Sequence, residues 1–205
     1  MKEDIYELVI DEEKDGVFAI SLVSSPAIER DWVFFSSEKE MFSIVNEKQH
    51  MLIGAIMVPD KKIPRLDENN KQYSVFFTKE TIKKIAHKYM LNKFQSESTL
   101  EHSVKIGGVT LVESWITEGK DKSNNYNLFY PTGTWVGIFK IENDDLWNEY
   151  IETKQVKGFS VEGLFEHVKV NMSSEDLMDK DIESLDEEEF NIVLKNIIDE
   201  INGTN

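Results

Sequence analysis

The sequence predicts a mainly β member of the α+β class. The expected architecture is a mostly antiparallel, closed or nearly closed β-barrel with surrounding helices, extended by an acidic C-terminal helix. Short apolar stretches rich in β-branched and aromatic residues recur through the first 170 residues. Two segments between them carry a helix cap followed by apolar residues at helical spacing. Beyond them the charge changes abruptly: residues 171–205 hold 11 acidic and 2 basic residues, against a net charge of -16 for the whole chain. The boundary near Asn171 divides a compact domain, 1–170, from an acidic helical extension, 171–205.

Each element has a local reason. Val17–Val23 is an apolar run stopped by Ser24-Ser25-Pro26, and Trp32–Phe35 is a short aromatic strand candidate. Met51–Val58 ends at Pro59, and Tyr73–Phe77 alternates in part. Thr78 can cap a helix over Lys79–Leu91, where Ile82, Ile85, Ala86 and Tyr89 share one face. Gly108–Ile116 and Thr134–Ile141 read as strands. Asn143 caps a second helix over Asp144–Thr153 that buries Leu146, Trp147, Tyr150 and Ile151, and Gly158–Phe165 is the last strand. In the extension, Ser184 and Glu187 form a capping box. Phe190, Val193, Leu194, Ile197, Ile198 and Ile201 make an apolar stripe that Gly203 ends.

Composition excludes several function classes. The chain has 205 residues and no cysteine, so it has no disulfide framework, thiolate metal site or cysteine nucleophile. Excess acidity disfavours direct nucleic-acid binding, which needs clustered Lys and Arg. No apolar run nears the roughly 20 residues of a membrane-spanning helix, and the acidic N-terminus has no signal-peptide core. These features predict a soluble intracellular protein with no cofactor, no metal and no membrane partner.

Four histidines could carry chemistry. His87 lies mid-helix and His50 stands in a polar stretch, both ordinary surroundings for a structural histidine. No HExxH pair exists. His102, in Leu100-Glu101-His102-Ser103, precedes an expected hairpin turn at Lys105-Ile106-Gly107-Gly108, a place from which an imidazole can face a cleft. Ser160 sits in Gly158-Phe159-Ser160-Val161-Glu162-Gly163, where glycines allow close backbone approach. A serine hydroxyl needs a base to take its proton, and the base works best when a third group orients it. Glu113 on the other arm of the expected hairpin, Glu101 beside the histidine, and His167 after the serine all remain open for that third place.

Taken in order, these segments resemble the XkdF-like phage serine proteases, a branch of the prohead maturation proteases of tailed phages. The likeness spans about residues 15–166. It runs through Gly16–Val23, Ser25–Glu29, Gly54–Ile63, Phe76–Ile82, Glu101-His102-Ser103, Val112–Ile116, Gly133-Thr134-Trp135 and Gly158–Gly163. Each piece is weak alone, and their order makes the set specific. The resemblance implies an assemblin-like barrel ringed by helices and a serine endopeptidase that removes scaffold and capsid-protein segments and cuts itself. It carries the nucleophile to Ser160 and the base to His102, with Glu113 as the favoured third member and His167 as its rival.

The resemblance further implies major capsid and scaffold proteins as substrates, and action inside the procapsid in the host cytoplasm. Because assemblin relatives dimerise, a homo-oligomer is also expected. With only Arg30 and Arg65 in the chain, the assemblin oxyanion arginines have no evident match, which leaves that role to backbone N–H groups. The rival reading is a catalytically inactive structural or scaffold-associated virion protein on the same fold.

Overall fold

The computed structural model describes residues 4–10, 14–24 and 43–170, with Leu194 alone beyond them. The chain divides into two units, Met1–Lys169 and Val170–Asn205. The strand expected at Trp32–Phe35 and the acidic C-terminal helix both lie outside the described residues.

The first unit is mainly β, as its composition predicts. Its strands are β1 (Asp4–Val9), β2 (Gly16–Val23), β3 (Ser43–Asn46), β4 (Met51–Met57), β5 (Ile63–Leu66) and β6 (Gln72–Phe76). Then follow β7 (Ser98–Leu100), β8 (Val104–Ile106), β9 (Val109–Ile116), β10 (Trp135–Ile141), β11 (Gly158–Leu164) and β12 (Glu166–Lys169). Helix α1 covers Lys79–Leu91, and the short α2 (Asp144–Leu146) continues into a π-helical turn at Trp147–Ile151. Both caps predicted from sequence form: the Thr78 side chain accepts from the Thr81 N–H, and that of Asn143 from the Leu146 N–H.

The strands make three four-stranded sheets, in the orders β12-β1-β6-β5, β3-β4-β10-β9 and β11-β2-β7-β8. Two pairs, β1 with β6 and β2 with β7, are parallel. The closed or nearly closed barrel expected from sequence is therefore replaced, among the described residues, by three separate ladders. The break that matters most for function falls at Gly107-Gly108. There the chain leaves β8, in the third sheet, and enters β9, in the second. Gly108 turns this corner at φ +72°, with Asn143 N only 3.1 Å from where a Cβ would stand.

The second and third sheets and α1 contribute to one core. Strand alternation sends Phe159 and Val161 of β11 and Ile20 and Leu22 of β2 inward. They belong to the same cluster as Leu52, Ile56, Trp135 and Phe139, and the Phe139 and Phe159 rings lie 4.3 Å apart. Helix α1 adds Ile82, Ile85, Ala86 and Tyr89, with Tyr89 edge-on to Trp135 at 5.4 Å. Burying each such large side chain contributes about 1.5–3 kcal/mol, which fixes the inner face of the third sheet and hence the aim of its outer face. A smaller cluster of Ile53, Val136 and Ile138 packs against Trp115, Tyr126, Leu128 and Tyr130. Among the described residues no helix is long and apolar enough to cross a membrane.

Candidate active site

The outer face of the third sheet carries a row of polar side chains. Because Phe159 and Val161 point into the core, Ser160 and Glu162 must point the other way. Across the antiparallel ladder Ser160 pairs with Ser21 and Glu162 with Ala19; across the parallel ladder Ser21 pairs with Thr99. Small residues at positions 19 and 21 leave room over β2 for longer side chains to meet. Thr99 Oγ1 donates to Glu162 Oε1 above that strand.

His102 reaches the same place from the turn that joins β7 to β8. Glu101 and His102 have φ values of +50° and +53°, and the Ser103 N–H closes the turn on the Leu100 carbonyl at 3.1 Å. Two successive non-glycine residues at positive φ are costly, of order 1 kcal/mol or more each, so other contacts must hold them. They are held from three directions. The Glu101 N–H donates to the Leu22 carbonyl at 3.0 Å, and the Ser24 N–H to Glu101 Oε1 at 2.6 Å. The His102 N–H donates to Ser21 Oγ at 3.0 Å. Ser21 is therefore both the ladder partner of Ser160 and the anchor of the His102 backbone N–H.

The imidazole then meets a carboxylate. His102 Nδ1 lies 3.1 Å from Glu162 Oε1, with the two side chains only 3% and 6% exposed. Ser160 is fully buried on the same strand face. When Glu162 accepts the Nδ1 proton, Nε2 keeps the lone pair, the state a general base requires.

The other candidates go elsewhere. Glu113 stands on β9 in the second sheet, opposite Ile138, and its carboxylate binds Lys122 Nζ at 2.5 Å. That ammonium also sits 3.9 Å from the centre of the Trp115 ring. The expectation that Glu113 faces His102 is corrected for a physical reason. It assumed one hairpin from His102 to Glu113, whereas the chain changes sheets at Gly107-Gly108. His167 lies on β12 in the first sheet, its ring 6.0 Å from Tyr6 and 6.3 Å from Tyr73. Desolvation there and the Arg65 charge hold its imidazole below the ordinary histidine range. Glu101 is engaged with Ser24. His50 stacks on Trp147 at 4.3 Å, and His87 is exposed on α1.

The residue that sequence reasoning passed over is Glu162. Its signal was available: two positions from a serine on a strand means the same face. What the sequence lacked was the pairing of β2 with β7, which carries the histidine to that face. Among the described residues, no group of three or more His, Asp or Glu side chains is arranged to hold a metal ion.

Ser160 and Glu162 thus share one face of β11, and the Glu162 carboxylate contacts the His102 imidazole. The sequence model of the family described as "Putative phage serine protease XkdF" matches residues 38–169, and the chain belongs to that family. The matched span includes His102, Ser160 and Glu162. No curated protein and no solved structure matches the chain.

Proposed function

We propose that this chain is a serine endopeptidase of phage prohead maturation, with Ser160 as nucleophile, His102 as general base and Glu162 as the group that orients the base. The observation that carries the reading is the buried 3.1 Å contact between His102 Nδ1 and Glu162, beside a serine two residues along the same strand face. In the proposed cycle, Ser160 Oγ attacks the scissile carbonyl as its proton passes to His102 Nε2. Glu162 steadies the imidazolium that forms. His102 then gives the proton to the leaving amine, and the C–N bond breaks to leave an acyl-serine. Water, deprotonated by the same imidazole, releases the acyl group and restores the hydroxyl. Backbone N–H groups near Ser160 serve the oxyanion, each worth about 3–4 kcal/mol.

The substrates in this reading are scaffold segments, capsid-protein segments or both, together with the chain itself, inside the procapsid in the host cytoplasm. No cofactor takes part. Because Ser160 has no exposed surface, the site has to open before a peptide enters. Such a resting state suits an enzyme packaged together with its substrates.

The test is Ser160→Ala coexpressed with the capsid and scaffold proteins of the same phage, with product termini read by mass spectrometry. Cleavage is expected to stop. Persisting cuts at the wild-type positions would return the chain to the rival reading, a virion component without turnover.

A further inference from the structure

We infer that Thr99 is a positioning residue for this site, acting through Glu162; the inference rests on the proteolytic reading above. Glu162 Oε1 receives two contacts, from His102 Nδ1 and from the Thr99 hydroxyl. An ionised carboxylate only accepts, so the hydroxyl must be the donor. Side-chain rotation of a glutamate on a strand is otherwise cheap, and one contact to the imidazole would leave its carboxylate free to swing. The second donor pins the oxygen where the imidazole needs it.

Thr99 suits the task for local reasons. It is β-branched, so its χ1 is stiff and its hydroxyl is held in one direction. Its strand is set between β2 and β8, and Ser21 Oγ lies 3.3 Å from the Thr99 carbonyl while accepting the His102 N–H. One short segment, Thr99 to His102, therefore supplies both the imidazole and the clamp on its carboxylate. The two charged or titratable groups on this turn are divided cleanly: His102 faces Glu162, and Glu101 faces the Ser24 N–H.

Thr99→Val keeps the shape and removes the donor. It is expected to lower kcat/KM about tenfold, the usual effect of losing one hydrogen bond to a charged group. It should also move the acid limb of the pH profile to lower pH. A carboxylate no longer pinned against Nδ1 stabilises the imidazolium less, so the protonated, inactive base is less favoured. Thr99→Ser, which keeps the donor, is expected to recover most of the rate and the original limb. If Thr99→Val does not fold, Thr99→Cys takes its place, with a weak donor of similar size and an intermediate profile expected. A Thr99→Val enzyme with the wild-type rate and pH profile, measured where Ser160→Ala is dead, overturns this inference and leaves the protease reading standing. Cleavage that survives Ser160→Ala overturns both.

Discussion

Replacing Glu162 by glutamine tests the site at its most informative point, because the change alters charge and leaves shape. The 3.1 Å separation from His102 Nδ1 sets the scale. A full countercharge at that distance, in the effective dielectric of about 20 that describes protein sites, is worth about 5 kcal/mol to an imidazolium. Water does little to screen it, since the two side chains are 3% and 6% exposed. A glutamine recovers part of the loss through a neutral hydrogen bond of about 1 kcal/mol. The net deficit, about 3–5 kcal/mol in the transition state, corresponds to a rate reduction of roughly 10²–10⁴. The assay is the rate of product formation from coexpressed capsid and scaffold proteins, run beside a thermal melt that confirms folding. Glu113→Gln, measured in parallel, should retain activity, because that carboxylate serves Lys122. A Glu162→Gln enzyme that cleaves at the wild-type rate, or a Glu113→Gln enzyme that loses as much, would refute the assignment.

Further outcomes follow from the packing and the charges. The Tyr89 hydroxyl is buried and has no hydrogen-bond partner among the described residues, and burial together with Glu97 pushes its ionisation well up. Tyr89→Phe should therefore be neutral or stabilising, by up to about 1–3 kcal/mol in urea denaturation; a loss of that size would reveal a bond the phenol makes. Gly163 lies where a Cβ would stand 2.6 Å from the Gly16 carbonyl oxygen and 2.6 Å from the Phe165 ring. Gly163→Ala should cost about 1–3 kcal/mol and, being next to Glu162, reduce turnover as well; an unchanged melting temperature would contradict the tight fit. Lys71 and Lys169 hold the Asp4 carboxyl down to about 2, from 3.8. A depressed folded value means that the stabilisation is present above the unfolded value and disappears as pH falls through about 2. Between pH 4 and 2 the wild type should lose stability more steeply than Asp4→Asn, and added salt should narrow the gap; parallel curves would show that the two ion pairs contribute nothing.

What was legible in the sequence, and what was not, follows from the range of the forces involved. The elements β2, β4, β6, β9, β10, β11 and α1 announced themselves through runs of branched and aromatic side chains or through a cap such as Thr78. The short strands β3, β5, β7, β8 and β12, three or four residues each, carry too few side chains for a period to show. Their existence depends on neighbours that the chain meets only after folding. The turn at Glu101-His102 was hidden for another reason. Nothing in its residue types demands positive φ, whereas Gly107-Gly108 accommodates it, so the sequence points to a reversal there. In the structure those glycines mark a change of sheet. The change of sheet puts Glu113 beside Lys122 rather than beside His102. The serine and histidine were legible only as members of an ordered set of segments, since the contacts that unite them run through Ser21, which sits 81 positions from His102.

The wide spacing of Ser21, Thr99, His102 and Glu162 along the chain has a temporal consequence. A ribosome delivers the first three well before the last, and long-range strand pairing is among the slower events of folding. Until the segment around residue 160 has emerged and docked beside β2, neither the alcohol nor the acid is in place. Whatever reaction this buried site performs is thus withheld from the growing polypeptide until almost all of the first unit has been made.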